Sequence, residues 1–356
     1  MIGFLRRACY SLGMLQVYLC IERYLGWKRA VFSVCFHSVP EESPAKPISN
    51  LESGTCRNHF ENQIKHLSKW LQPINDSTLL NWLNRKEQLK CDGLLVTFDD
   101  GYKNNQTVAG PILEKYGAPG LIFIPTDFIS TGKTFWWTRV SDVMRNIDTT
   151  AWKSLANRKL PKPVLEIIAA EDLASWPSRL RARRRLAMWI DQQPNPEPTL
   201  TTIESVTDTA QTGYTQPHMS LSDWDDITAM SSNTFNFGSH THTHPHLTKL
   251  TDSDLEAELE TGRQELSRRL GQCPISLAYP AGDFDERVAA AASDAGFELA
   301  FTTVPGIIDR QSNRMQLPRI YLGVFEPYRI CFALVVINIA KYIPKKHQSR
   351  LLKYAR

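Results

Sequence analysis

The chain has 356 residues, of which 42% are hydrophobic and 22% charged, with a formal net charge of +4. That length and hydrophobic fraction allow one catalytic domain with a large buried core and an elaboration, and exclude a disordered or fibrous class. The mild basicity is not joined to any aromatic-basic recognition motif, so nucleic acid is not expected as a partner.

In chain order, residues 1–29 form an amphipathic to apolar segment in which Arg6 and Arg7 precede a mostly apolar stretch from Ala8 to Ile21. It has no small-residue cleavage signature and is shorter than the ~20 apolar residues that span a bilayer. Val31 to Phe36 then reads as a strand that ends in His37. Gly93 to Phe98 is a second, β-rich strand, which runs into Asp99-Asp100-Gly101. The glycine lets the backbone bend once the two carboxylates have emerged. Taken alone, Asp-Asp-Gly is equally a polar turn with a satisfied helix cap.

A helix over Gln106 to Tyr116 leads to a strand at Gly120 to Ile124. Residues 131–216 interrupt the rhythm as a mostly helical insertion over the active face. Its Phe135-Trp136-Trp137 run is read as packing in preference to sugar stacking, and Arg181, Arg183, Arg184 and Arg185 as a solvated face in preference to a polyanion contact. The stretch from Gln192 to Gln216 is rich in Pro and Thr. Phe235 to Ser239 is another short strand, followed by four of the nine histidines within His240 to His246. His240 and His244 are four apart, so a helical turn or tight loop sets both imidazoles on one side and leaves His242 pointing elsewhere.

A helix follows, with Ser253 as cap, Glu256 three residues on, Leu255, Leu259, Leu266 and Leu270 near one face, and a stop at Gly271. Ile275 to Gly282 is a strand and loop, Glu286 to Ala295 a helix, Leu299 to Thr302 a strand, and Arg319 lies beyond a further strand. The alternation of strand, motif loop and helix favours an α/β fold, a distorted (β/α) barrel of about seven strands. Its two parts are 30–130 and 217–325. Residues 326–356 form a basic C-terminal helix or tail. The seven cysteines lack C-x-x-C spacing, which suggests reduced, mostly buried thiols.

Paired acids at a strand end, joined to the histidine cluster, point to metal chemistry. Two neutral imidazoles and one carboxylate suit Zn²⁺ and leave a position open, where a divalent ion acidifies water to a pKa of about 7 and polarises an acyl carbonyl. Backbone extended between the two acids keeps Asp99 and Asp100 off the same metal face, while Asp99 stays within reach of the water.

Thr97-Phe98-Asp99-Asp100-Gly101-Tyr102 and Ser239-His240-Thr241-His242-Thr243-His244-Pro245 resemble the first two motifs of the polysaccharide deacetylases, carbohydrate esterase family 4. The resemblance implies Asp99 as catalytic base and Asp100, His240 and His244 as metal ligands. The family's late Leu-x-His motif is missing after position 300. The strand ending at His37 instead resembles the permuted subfamily that includes deacetylases of β-1,6-linked N-acetylglucosamine polymers, which implies His37 as general acid. A buried strand-end histidine donating to a carbonyl is the alternative. Ala278-Tyr279-Pro280-Ala281-Gly282 resembles the third motif with Ala278 in place of its arginine. The resemblance implies that Ala281 supplies an oxyanion N–H, with Tyr279 and Pro280 as the other candidate oxyanion or substrate-binding residues, although Tyr279 also fits a strand-end packing role. Arg319 is the candidate to replace the missing arginine beside Asp99.

The expected activity is metal-dependent hydrolysis of an N-acetyl group on an amino sugar of a bacterial surface glycan, an exopolysaccharide, or its lipid-linked precursor. The alternatives are an impaired carbohydrate-binding or scaffold module on the same fold, or a deacylase of a non-sugar amide. The expected location is cytoplasmic, and both termini carry apolar stretches flanked by cations that suit peripheral contact with the inner membrane as well as packing on the barrel.

Overall fold

The computed structural model describes residues 11, 13–25, 28–43, 47–48, 54–193, 195–206, 217–230, 234–322, and then 332, 335–336, 339 and 342–343. The segments around Arg6 and Arg7, residues 207–216 of the Pro- and Thr-rich stretch, and most of the basic C-terminal tail lie outside the described residues, while the earlier part of that stretch holds a helix at Glu197–Glu204.

Among the described residues, eight strands build one parallel sheet: β1 (Val31–Phe36), β2 (Gln72–Pro73), β3 (Gly93–Phe98), β4 (Gly120–Ile124), β5 (Phe235–Ser239), β6 (Ser276–Ala278), β7 (Leu299–Phe301) and β8 (Ile320–Tyr321). The order is β7-β6-β5-β4-β3-β1-β8, with the short β2 beside the start of β3. A parallel bridge from Phe301 to Leu317 links β7 to the segment that runs into β8. Backbone pairing therefore continues across the gap between the two ends of the sheet, as a distorted (β/α) barrel of seven strands requires.

Every residue of β1, β3 and β4 is buried, the expected state of parallel strands covered on both faces. Alternation divides their side chains. Phe32, Val34 and Phe36 of β1 and Leu94, Val96 and Phe98 of β3 pack outward against Phe60, Ile64 and Leu67 of the helix Arg57–Trp70. The Phe36 and Phe60 rings meet edge to face at 4.9 Å, and both lie 5.8 Å from Phe98. Truncating Phe98 to alanine would cost about 3–5 kcal/mol. On the enclosed face Val31, Leu95, Leu121, Phe123, Leu299, Phe301 and Leu317 form a separate cluster. Higher along that same face come Cys35 and Thr97, which are register partners, and then the first residues past the strands, His37 and Asp99.

Two predicted helices differ in detail. The segment from Gln106 opens with a π-helical turn over Asn105–Ala109 and becomes α-helical only at Gly110–Tyr116. The helix Asp252–Leu270 is capped by Thr251, whose hydroxyl accepts from the Asp254 N–H, so the cap lies two residues before Ser253. Leu255, Leu259, Gly262 and Leu266 form its buried face, and Gly271 at φ 70° ends it.

The chain divides into two compact units. One contains the barrel. The other comprises 43–53 and 133–220 and has its own core of Val140, Met144, Trp152, Leu155, Ile168 and Leu186, which Ile48 joins from the earlier segment. Trp136 packs on that core, and Phe135 stacks on Trp137 at 4.2 Å, as the packing reading expects. The basic run is more than a solvated face. Arg181 and Arg185 lie 3.0 and 3.8 Å from the buried Glu171, and the Arg183 guanidinium donates to the Ser141 hydroxyl. Cys35, Cys56 and Cys91 are buried, whereas Cys20 and Cys273 are exposed, and Cys9 and Cys331 lie outside the described residues.

Candidate active site

The loops at the carboxyl ends of β1, β3 and β5 make the site, with β4 between the last two. β1 and β3 pair with Phe36 opposite Phe98, and the Asp99 N–H donates to the Phe36 carbonyl at 3.0 Å. One step further this register places His37 beside Asp99, with His37 Nε2 3.9 Å from Asp99 Oδ2. The loop after β1 is fixed by two asparagines that follow the acidic turn. Asn104 accepts from the Val39 N–H at 2.9 Å and donates to the Ser38 hydroxyl, while Asn105 donates to the His37 carbonyl at 2.7 Å.

Asp100 has φ 75° and Gly101 φ 71°, so the chain turns sharply after Asp99 and the two carboxylates diverge. Left-handed backbone at a non-glycine residue is sparsely populated and clusters at functional sites. The histidine loop has the same property at Thr241 (φ 66°) and His244 (φ 58°). These two bends bring His240 and His244 to one side without a helix, and their rings meet edge to face at 4.7 Å. His242 points away and shares a hydrogen bond with Thr126.

Asp100 Oδ1 lies 3.6 Å from Nε2 of both His240 and His244. One donor atom from each of the three residues falls within 4.8 Å of the others. Two atoms bound at about 2.1 Å to a tetrahedral ion lie roughly 3.4 Å apart, so the trio fits a divalent cation. Its second support agrees. His240 Nδ1 donates to the Ala278 carbonyl at 2.8 Å, which leaves the Nε2 lone pair facing Asp100. Burial pushes the His240 pKa down to about 4, and burial together with His240 holds His244 well below the ordinary histidine value. Both imidazoles are therefore neutral and free to offer a lone pair to a cation. Burial and the adjacent Asp99 raise the Asp100 pKa well above the usual carboxylate value.

Asp99 has different partners. Arg319, 2% exposed, lies on the segment that closes the barrel and donates from Nη1 to Asp99 Oδ1 at 2.6 Å and from Nη2 to Oδ2 at 2.8 Å. Its Nε donates to the Thr302 carbonyl, and its guanidinium rests over Phe123. Burial works to raise the Asp99 pKa, but Arg319, His240 and His37 outweigh it and hold the carboxyl well below the usual range. The Cys35 thiol also donates to Asp99 Oδ2, at 3.5 Å. His37 is lowered by burial more than Asp99 raises it, and its Nδ1 has no hydrogen-bond partner among the described residues.

The loop after β6 stands one residue beyond the carbonyl that receives His240. Ala281 is exposed there at φ 54°, and Pro280 is buried at the turn's start. Tyr279 is not a substrate-binding side chain. It is fully buried, its hydroxyl donates to the Met315 carbonyl at 2.9 Å, and its ring stacks on Phe284.

Sequence reasoning thus brought Asp99, Asp100, His37, His240, His244 and Arg319 together correctly in space. It missed Cys35, Asn104 and Asn105. Cys35 is two residues before His37, and the period of a strand puts both on one face, which was the available signal.

A family model described as polysaccharide deacetylase matches residues 189–300. A putative polysaccharide deacetylase of Bacillus subtilis, YxkH, is 32% identical over 97 residues, a match covering 24% of this chain and 34% of that protein. The chain thus matches about a third of the length of that relative. Among solved structures, the Streptococcus pyogenes deacetylase PplD in complex with acetate superposes with a TM-score of 0.55 at 15% identity, covering 87% of this chain and 98% of that one. IcaB from Ammonifex degensii gives 0.53 at 15% identity, covering 92% and 97%. The Bacillus cereus polysaccharide deacetylase BC0361 gives 0.53 at 18% identity, covering 86% and 69%. At these identities the structural likeness is one of fold.

Proposed function

We propose that this chain, which carries a polysaccharide deacetylase domain, hydrolyses the N-acetyl group of an amino sugar in a bacterial surface glycan or its precursor, with a divalent metal, Zn²⁺ fitting best. The observation that carries the reading is the division of labour between adjacent acids: Asp100 faces two neutral imidazoles, and Asp99 faces a guanidinium.

Asp100, His240 and His244 would hold the ion, which when bound supplies Lewis acidity toward water and an acyl carbonyl. Asp99, kept ionised by Arg319, accepts the proton of the attacking water. Arg319 acts as a positioning residue, since it fixes both oxygens of that carboxylate in one plane. His37, held by Asn105 through its carbonyl and facing Asp99 through Nε2, passes to the departing amine the proton that Asp99 takes from the water. The Ala281 N–H is assigned to the negative charge that develops on the acyl oxygen. Stacked against one another, these roles need no covalent enzyme intermediate. Acetate release from N-acetylated oligosaccharides by the metal-loaded protein, compared with Asp99→Asn, tests the proposal; a metal-replete protein that binds glycans without releasing acetate would make it a binding module.

A further inference from the structure

The Tyr321 ring is open to solvent beside the residues assigned to the chemistry. It is 50% exposed, and it meets the His37 ring edge to face with centres 6.4 Å apart. Strand register explains the placement. In the parallel pairing of β1 with β8, Val34 lies opposite Ile320 and Cys35 opposite Tyr321. Val34 and Ile320 belong to the outer core, so alternation turns Cys35 and Tyr321 toward the enclosed face, where Cys35 reaches Asp99. Arg319 is on that same face and buried against Asp99, whereas Tyr321, two residues nearer the carboxyl end, stays half in solvent.

Single exposed apolar residues are ordinary, and what sets Tyr321 apart is its contact with the candidate general acid. Val304, whose carbonyl accepts from the Arg319 N–H at 3.1 Å, is 55% exposed and adds a second apolar residue at this edge.

The direction of the scissile bond says what meets the ring. The Ala281 N–H, assigned to the acyl oxygen, follows β6, and His37, assigned to the amine, follows β1, with β5, β4 and β3 between them in the sheet. The acetyl end of a bound amide therefore lies toward β6 and its nitrogen toward β1. Whatever the nitrogen carries continues toward β8, the strand next to β1. In an N-acetylated amino sugar that group is a pyranose, whose faces present apolar C–H groups. An aromatic ring with one side against His37 and the rest open offers those faces a platform, and its phenol oxygen suits the sugar hydroxyls.

We propose that Tyr321 is a substrate-binding residue whose ring carries the pyranose bearing the acetamido group. This role rests on the amino-sugar reading above, and within it selects a cyclic sugar over an acyclic N-acetyl amine.

Two readouts separate the role from that reading: calorimetric binding of N-acetylglucosamine oligomers to zinc-loaded protein carrying Asp99→Asn, and acetate release by protein with Asp99 intact. Tyr321→Leu keeps bulk on the strand but has no ring. It should weaken binding and raise KM by roughly tenfold, with zinc content unchanged and kcat lowered far less. Tyr321→Phe should restore most of the affinity. A fall in kcat at unchanged KM would make Tyr321 a support for His37 and overturn the proposal. Equal affinity with and without Tyr321→Leu, or no binding by either protein, would overturn it too. Failure of the hydrolytic reading looks different: no acetate from wild type, with the loss of binding in Tyr321→Leu still present, would keep the platform and remove the reaction.

Discussion

Arg319 and Asp99, 220 positions apart in sequence, share two parallel hydrogen bonds of 2.6 and 2.8 Å in the buried mouth of the barrel. Removing the guanidinium strands a buried carboxylate, so Arg319→Ala should cost about 3–5 kcal/mol in urea denaturation. Combining it with Asp99→Asn should recover part of that loss, because the stranded charge is gone. Because the folded-state pKa of Asp99 lies below its unfolded value, the pair's contribution is complete above about pH 4 and is lost as pH falls further. Wild type should therefore lose stability more steeply in acid than Asp99→Asn. A cost for Arg319→Ala no larger than the roughly 0–1 kcal/mol of an exposed pair would contradict this.

Metal uptake should be linked to one titrating group. Burial and Asp99 raise the Asp100 pKa, whereas the two imidazoles are already neutral at physiological pH. Protons released on zinc binding then come from Asp100, and affinity falls as pH drops through its raised pKa. Calorimetry in buffers of different ionisation enthalpy measures the count. Two or more protons per ion would assign the linkage to the histidines instead.

His37 has a test that depends on the leaving group. His37→Gln should keep its metal and lose roughly 100-fold or more in acetate release from an N-acetyl sugar, whose amine must be protonated to depart. An aryl acetate leaves without that proton, and its hydrolysis should be affected far less. Equal losses on both substrates would mean that His37 supports the site's structure and does not donate.

Gly262 sets how closely the helix Asp252–Leu270 approaches the histidine loop. A Cβ at this position would lie 2.8 Å from the Thr241 carbonyl carbon and 2.9 Å from its oxygen. Gly262→Ala should push on the loop between His240 and His244, costing about 1–3 kcal/mol and weakening zinc affinity. Unchanged affinity, measured by competition with a chelator, would show that the loop holds its geometry without this contact.

The strands β1, β3 and β4 were legible because full burial on both faces leaves mostly apolar runs, and they fall where the sequence puts them, as does the partly buried β5. The candidate ligand trio was legible as a cluster because Asp100, His240 and His244 sit within two short motifs. Arg319 was harder to place, since only closure of the barrel brings the segment after Leu317 over Phe123. Asn104 and Asn105 were missed because ordinary polar residues after a turn carry no pattern, and their partners in the β1 loop are more than 60 positions away. The helix cap shifted from Ser253 to Thr251 because both residues can cap and only the backbone geometry chooses. The second unit's recruitment of 43–53 had no compositional signal at all.

The most direct measurement is zinc content and acetate release on the same preparations of wild type and Asp99→Asn, with N-acetylglucosamine oligomers as substrate. The account predicts stoichiometric zinc in both proteins and acetate from wild type alone. Zinc lost together with activity in Asp99→Asn, or acetate released equally by both, would contradict the separation of ligand and base on which it rests.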